Sequence, residues 1–353
     1  MPMALKVHVV YEHGPDYRPF GSAYLRLLRP LSHPTVRDQI CLTASWRYDG
    51  EPVDVVIVDR LWRADIDQEM AASLAHRIRR AGARFIYALD DDLLGLYEQQ
   101  RGPRAEGYRQ VVQFFLEEAD GVLVTTQPLQ ERCQELNARC EVVPNALDER
   151  LLAGGSPTPS DSPFERRPTV IGYMGTITHE ADLNLILPAW QAIHDRYGRA
   201  VEFQMVGVTT RPEALRDLPF PIRRIQPRPE EVEYPLFLLW WTGRICWDIA
   251  VAPLQDTPFN RCKSDIKYLD YCALGAAGVF SHVPAYRGSV RHLETGWIAD
   301  NTVDAWVTAL DRLLHDEPLR ISLARAARQD LYSRRLLCHT APRWLEALEQ
   351  LLA

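Results

Sequence analysis

The sequence predicts an α/β protein made of two doubly wound parallel-sheet domains, each Rossmann-like, facing one another across a cleft. Short runs rich in Val and Ile alternate with stretches of helical period, a pattern that builds parallel sheets with helices on both faces. The alternation breaks once, at Gly154-Gly155-Ser156-Pro157-Thr158-Pro159-Ser160, which suits neither a helix nor a central strand. It then restarts, and 353 residues suffice for two cores. The expected division is a first domain over 1–153, a linker over 154–168, a second domain over 169–335 and a C-terminal helix over 336–353 that can pack back on the first domain.

In the first domain the expected strands are Lys6–Val10, Val53–Val58, Arg84–Leu89, Gly121–Thr125 and Glu141–Val143. Between two of them, Ile66, Met70, Leu74 and Ile78 recur every four residues and predict one apolar helix stripe over Asp65–Ala81, with Gly82 as its stop. In the second domain the expected strands are Thr169–Met174, Val201–Val206, Ile222–Ile225, Asp248–Ala252, Gly278–Ser281 and Gly296–Ala299. Leu183, Ile186, Leu187, Trp190, Ile193 and Tyr197 line one intervening helix, and Val303, Trp306, Val307, Leu310, Leu313 and Leu314 line another. A last helix covers roughly Ala341–Leu352. Ligands of such sheets bind beyond the carboxyl ends of the strands.

Composition narrows the function. A net charge of −7 argues against duplex nucleic acid as a partner, because a phosphate-tracking surface needs a basic excess. The seven cysteines are scattered without a CxxC, which reads as a reducing cytoplasm with no disulfide framework or zinc site. Met1–Val10 reads as a first strand and not a signal peptide, and the longest apolar run, Tyr234–Trp241, is too short to span a bilayer. Trp240, Trp241 and Trp247 read as core packing more than as a sugar-stacking surface.

The chemistry concentrates after the strand that ends near Pro253. A polar loop leads to a helix with Ser264 as the expected N-cap, and a helix start offers N–H groups and a positive dipole end to a diphosphate. Lys263, Lys267 and Asp270 stand at i, i+4 and i+7 and are expected on one exposed face, opposite Ile266, Leu269 and Ala273. That order suits a nucleoside diphosphate: cations for the phosphates, then an acceptor for ribose hydroxyls. By spacing alone an amphipathic surface helix explains the same charges.

Pro258-Phe259-Asn260, Lys263-Ser264, Ile266-Lys267 and an acidic residue before Tyr271-Cys272-Ala273-Leu274-Gly275 resemble the donor-site signature of family-4-like retaining glycosyltransferases. The closer likeness is to the bacterial group 1 enzymes that build surface polysaccharides. Gly175-Thr176-Ile177-Thr178-His179-Glu180-Ala181-Asp182, Pro144-Asn145 and Asp90-Asp91-Asp92-Leu93 match further elements in order. The resemblance implies the GT-B fold and metal-independent transfer from a nucleotide sugar to a glycan or lipid-linked acceptor, with no cofactor. It also implies a location in the cytoplasm or at the inner membrane surface. Of the family's two glutamates eight residues apart, Cys262 takes the first place and Asp270 the second.

On this reading Gly175, Thr176, His179, Phe259, Asn260, Lys263, Ser264, Lys267 and Asp270 bind the donor, with Lys267 also catalytic. Asp90 and Asp91 position the acceptor or stabilise positive charge at the anomeric carbon, and Gly21, Ser22, Arg60 and Asp92 border the acceptor. Bland readings stand beside these: an ordinary strand-to-helix turn at Gly175 with Thr178 or Asp182 as cap, a solvated histidine at His179, and helix capping by one of Asp90–Asp92. Arg60 is placed to pair with a phosphate or with the Asp90–Asp92 cluster. Arg77, Arg79, Arg80 and Arg84 form a solvated basic face or a membrane-facing one. A catalytically silent nucleotide-binding module and a sugar-nucleotide epimerase remain as alternative functions.

Overall fold

The computed structural model describes residues 4–152, 167–176, 179–207 and 218–353, so most of the expected linker, with Ile177 and Thr178, lies outside the described residues. The chain divides into two compact units. The first gathers Met1–Glu149, Arg261–Ser264 and Arg335–Ala353; the second gathers Arg150–Asn260 and Asp265–Arg334.

The first unit holds a parallel sheet of β1 (Leu5–Val10), β2 (Ile40–Ser45), β3 (Val55–Asp59), β4 (Arg84–Leu89), β5 (Gly121–Val124) and β6 (Cys140–Val142), in the order β2-β1-β3-β4-β5-β6. Every residue of β3 is buried, as a central parallel strand requires. The edge strand β2 escapes the sequence reading because Cys41, Thr43 and Ala44 face solvent and only Ile40 is fully buried. One sheet face packs on the helix Gln68–Arg80 and the helix Pro103–Glu118. The other packs on Leu337, Trp344, Leu348 and Leu351 of the C-terminal segment.

The helix Gln68–Arg80 starts later than expected, because Asp67 is its N-cap and accepts from Met70 N. Its buried stripe is Ala71, Leu74, Ala75 and Ile78; Met70 is left exposed and Ile66 precedes the helix. Gly82, with φ 75°, closes it as expected: Gly82 N donates to Arg79 O and Ala83 N to Ile78 O. On its polar side, Arg79 pairs with Glu118 at 2.6 Å, and Arg84, at the start of β4, pairs with Asp120 at 3.3 Å.

The second unit holds β7 (Thr169–Gly175), β8 (Val201–Gly207), β9 (Ile222–Ile225), β10 (Ile249–Ala252), β11 (Ala277–Ser281) and β12 (Trp297–Ala299), ordered β12-β11-β10-β7-β8-β9 and parallel throughout. Leu183, Ile186, Trp190 and Ile193 of the helix Glu180–Tyr197 and Trp306, Leu310 and Leu313 of the helix Val303–His315 fill its core. All three clustered tryptophans, Trp240, Trp241 and Trp247, are buried. A Cβ on Gly172 would stand 1.9 Å from the Trp247 ring, so this strand glycine makes room for the indole, which donates to Gln204 Oε1 at 2.9 Å. Among the described residues no helix is long and apolar enough to cross a membrane, and all seven cysteines are free thiols.

Candidate active site

In each sheet the strand order reverses direction once: between β1 and β3 in the first unit and between β7 and β10 in the second. Loops leaving the carboxyl ends on either side of such a point diverge and leave a crevice for a ligand. The charged groups collect at these two places.

In the first unit, β3 ends on Asp59 and turns at Arg60, which takes a left-handed φ of 51°. Arg60 Nε donates to Glu12 Oε2 at 2.8 Å, its Nη1 donates to Asp90 Oδ1, and Asp91 Oδ2 lies 3.6 Å away. Arg60 thus pairs with the acidic cluster. Lys263 Nζ stands 3.3 Å from Asp91 Oδ1. Asp59 accepts from Glu12 N at 3.2 Å. Burial, and then the like charges of Glu12 and Asp90, push Asp59 up to about 8. Burial also raises Glu12, against the pull of Arg60. Asp92 points elsewhere: it is buried and accepts from Gly95 N at 2.9 Å as N-cap of the helix Leu93–Gln99. Of the three consecutive acids, two face Arg60 and one caps a helix.

Gly21 and Ser22 open a helical run that continues through Leu31, and no side chain caps it. From its interior the buried Arg26 donates to Val124 O, Val143 O and Asn145 Oδ1. Burial lowers Arg26 to about 10. Asn145 in turn donates from Nδ2 to Ser264 Oγ at 2.8 Å. The Pro144-Asn145 element therefore ties Arg26 to the segment Arg261–Ser264.

In the second unit, β7 ends at Gly175, where a Cβ would stand 3.2 Å from the Tyr173 hydroxyl and 3.3 Å from His179 Cβ. Thr176 is exposed just beyond, and its carbonyl accepts from His179 N at 3.0 Å. His179 is no solvated loop residue: Nδ1 lies 2.7 Å from Asp182 Oδ2, while Asp182 Oδ1 accepts from Gln255 N at 2.8 Å. Asp182 thus links the β7 turn to the loop after β10. To donate to a ligand as well, the ring must carry protons on both nitrogens. Phe259, half-buried, and Asn260, buried, lie in the short helix Pro258–Arg261, and Asn260 Nδ2 donates to Gln255 O at 3.0 Å.

The expected helix face of Lys263, Lys267 and Asp270 does not form. The helix runs Ile266–Leu274 with Asp265 at the N-cap position, so Lys263 precedes it and belongs to the first unit. Ser264 is not the cap, because its hydroxyl is engaged by Asn145. Asp265 supplies no side-chain cap either, its Oδ2 being taken by the Ser289 hydroxyl. Nor is the lysine face solvated: every residue from Lys267 to Leu274 is buried. Lys267 Nζ sits 5.0 Å from the centre of the Tyr173 ring, and burial pushes Asp270 up to about 7 against the pull of Lys267. Tyr271 fastens this helix to both strands of the switch point, donating to Val251 O at 2.9 Å and accepting from Met174 N at 3.4 Å.

Glu12 and Asp59 are absent from the sequence-predicted set. The available signal was Asp59 itself, an acid closing the apolar run Val55–Val58 at a strand end, as Asp90 does after β4.

No family model matches the sequence, and no curated protein matches it. Solved structures do. Sucrose-phosphate synthase from Thermosynechococcus elongatus aligns with 99% of this chain and 99% of its own at a TM-score of 0.71 and 13% identity. Anabaena HepE in complex with UDP-glucose aligns over 98% and 99% at 0.65 and 13%. A glycosyltransferase from Rickettsia africae aligns over 100% and 99% at 0.62 and 13%. The fold is GT-B, with two Rossmann-like parallel-sheet domains.

Proposed function

We propose that this chain is a retaining glycosyltransferase that moves a sugar from a nucleotide-sugar donor to a glycan or lipid-linked acceptor in polysaccharide assembly, without a resident metal. The observation that carries the reading is the buried pair Lys267 and Asp270, anchored by Tyr271 to the two strands of the β7/β10 switch point. A buried ammonium beside the Gly175–Thr176 turn suits the diphosphate, whose charge grows as the glycosidic bond breaks; fixed positive charge there lowers the barrier. Asp270, once ionised, accepts from ribose hydroxyls, so donor affinity falls as pH drops below about 7. His179, Phe259 and Asn260 complete the donor side, with Lys263 and Ser264 preceding the helix. In the first unit, Asp90 and Asp91 orient the acceptor hydroxyl or stabilise charge at the anomeric carbon, while Arg60, Gly21 and Ser22 border the acceptor.

The test is Lys267→Met, assayed with a panel of nucleotide sugars for transfer and donor hydrolysis. The expected result is a loss of kcat of about 100-fold or more with the fold intact by circular dichroism. Turnover close to that of the unmodified protein sinks the donor assignment. A silent nucleotide-binding module is the second reading, favoured by the engagement of Lys263 with Asp91. Calorimetric binding of a nucleoside diphosphate with neither hydrolysis nor transfer selects it.

A further inference from the structure

A cavity of about 520 Å³ opens in the first unit, lined by residues that follow β2 and β3 and by one side of the helix Gln68–Arg80 from Glu69 to Arg77. That volume lies within the range of small-molecule sites. None of the groups placed above in donor or acceptor binding lines it.

Its chemistry is mixed in a particular way. Trp46, Trp62, Met70 and Leu74 supply apolar wall, the Trp62 indole fixed by donating to Trp46 O. Trp46 is half-exposed and packs 4.8 Å from the ring of Tyr17, which is 54% exposed. Aromatic surface is left open there although burying it would be favourable. Three guanidiniums (Arg47, Arg63, Arg77), three carboxylates (Asp49, Asp67, Glu69) and the Ser73 hydroxyl complete the lining. Arg47 pairs with Asp49 at 2.8 Å, and Asp67 caps its helix, whereas no ion pair involves Glu69 among the described residues. The backbone is strained in the same loops. Of the four non-glycine residues with left-handed φ among the described residues, Tyr17 (61°), Arg60 (51°) and Trp62 (63°) follow β1 and β3. Strain of this kind persists where surrounding structure enforces it and gathers at binding sites.

We propose that this cavity binds one uncharged sugar residue. The lining charges cancel, and Asp67 and Glu69 oppose a phosphate or a uronate, so an anionic ligand is disfavoured. A neutral pyranose matches both parts of the wall. Its C–H face covers an indole, and its hydroxyls donate to Glu69 and accept from Arg77. Placing that residue within the acceptor glycan, away from the reacting hydroxyl, rests on the transferase reading; the sugar site itself does not.

The test is saturation-transfer NMR on the full chain with maltotriose, cellotriose and chitotriose as neutral probes, and with glucose 6-phosphate and glucuronate as charged ones. Binding of at least one neutral probe is expected, weakened about tenfold or more by Trp46→Ala and by Glu69→Gln. Lys267→Met and Trp46→Ala separate the two claims. The first should leave saccharide binding unchanged, and the second should leave nucleotide-sugar binding unchanged. No neutral probe binding, equal binding of the charged probes, or binding indifferent to both cavity substitutions overturns the sugar site. Saccharide binding at Trp46 in a protein that binds no nucleotide sugar supports the site while refuting the transferase reading.

Discussion

At the end of β3 one guanidinium, Arg60, serves Glu12, Asp90 and Asp91; on the helix Ile266–Leu274 one ammonium, Lys267, faces the single carboxylate of Asp270. Both places bury charge, but the raised acids have different causes. Asp59 is raised first by burial and then by two neighbouring carboxylates, with Arg60 opposing; Asp270 is raised by burial alone, with Lys267 opposing. The first unit therefore gathers four acids about Arg60, with Lys263 pairing one of them, Asp91. The second holds one raised carboxyl near one lysine, and each raised acid keeps its proton below its raised value, Asp59 to about 8 and Asp270 to about 7. The buried cation is shared among several acids in one setting and stands near one acid in the other.

The sharpest way to break this contrast is to remove each cation. Arg60→Met leaves three buried or half-buried acids without their shared partner and should cost about 3–5 kcal/mol by urea denaturation at pH 7.5. Lys267→Met should cost less than about 1 kcal/mol at pH 6, because Asp270 then stays protonated. Equal losses would mean that the two sites are built alike.

The next effect is on pH dependence. Both acids have folded pKa values above their unfolded ones, so the stability they contribute is complete below about pH 4 and is lost as pH rises through the folded value. For Asp59 that window ends near 8 and for Asp270 near 7. Asp59→Asn and Asp270→Asn should each flatten the stability curve over its own window and stabilise the protein by about 1–3 kcal/mol at its upper end. If the two windows coincide, the extra push from Glu12 and Asp90 on Asp59 is absent.

The smallest effect concerns Asp92, which sits beside this cluster without belonging to it. Asp92→Ala should cost about 1 kcal/mol, the value of an N-cap, and leave kcat/KM nearly unchanged. A large loss of activity would return Asp92 to the acceptor site.

Much of the fold was legible because central parallel strands are continuous apolar runs. Arg84–Leu89 and Ile222–Ile225 match residue for residue, and the other expected strands differ by one or two residues at one or both ends. The edge strand β2 was not, since exposed residues such as Thr43 and Ala44 carry no such signal. At the site, Gly175, Lys267 and Asp270, singled out by the order of motifs, lie on neighbouring elements. The helix face failed because periodicity presumes that a helix has already begun at Lys263. Where it begins is decided by tertiary bonds, those of Asn145 to Ser264 and Ser289 to Asp265, which spacing does not encode. Glu12 and Asp59 were missed because nothing local joins two acids 47 positions apart.

The four residues Arg261–Ser264 interrupt the second unit yet belong to the first, where Thr126 donates to Cys262 O at 2.8 Å and Asn145 and Asp91 engage Ser264 and Lys263. This limits how such a chain can be recombined. Transplanting 150–334 as a cassette would deliver Lys263 and Ser264 into a foreign host lacking their partners. A hybrid that keeps the local bonding of this segment must carry Asp91, Thr126 and Asn145 along with the graft, so the second stretch of chain is not a detachable module.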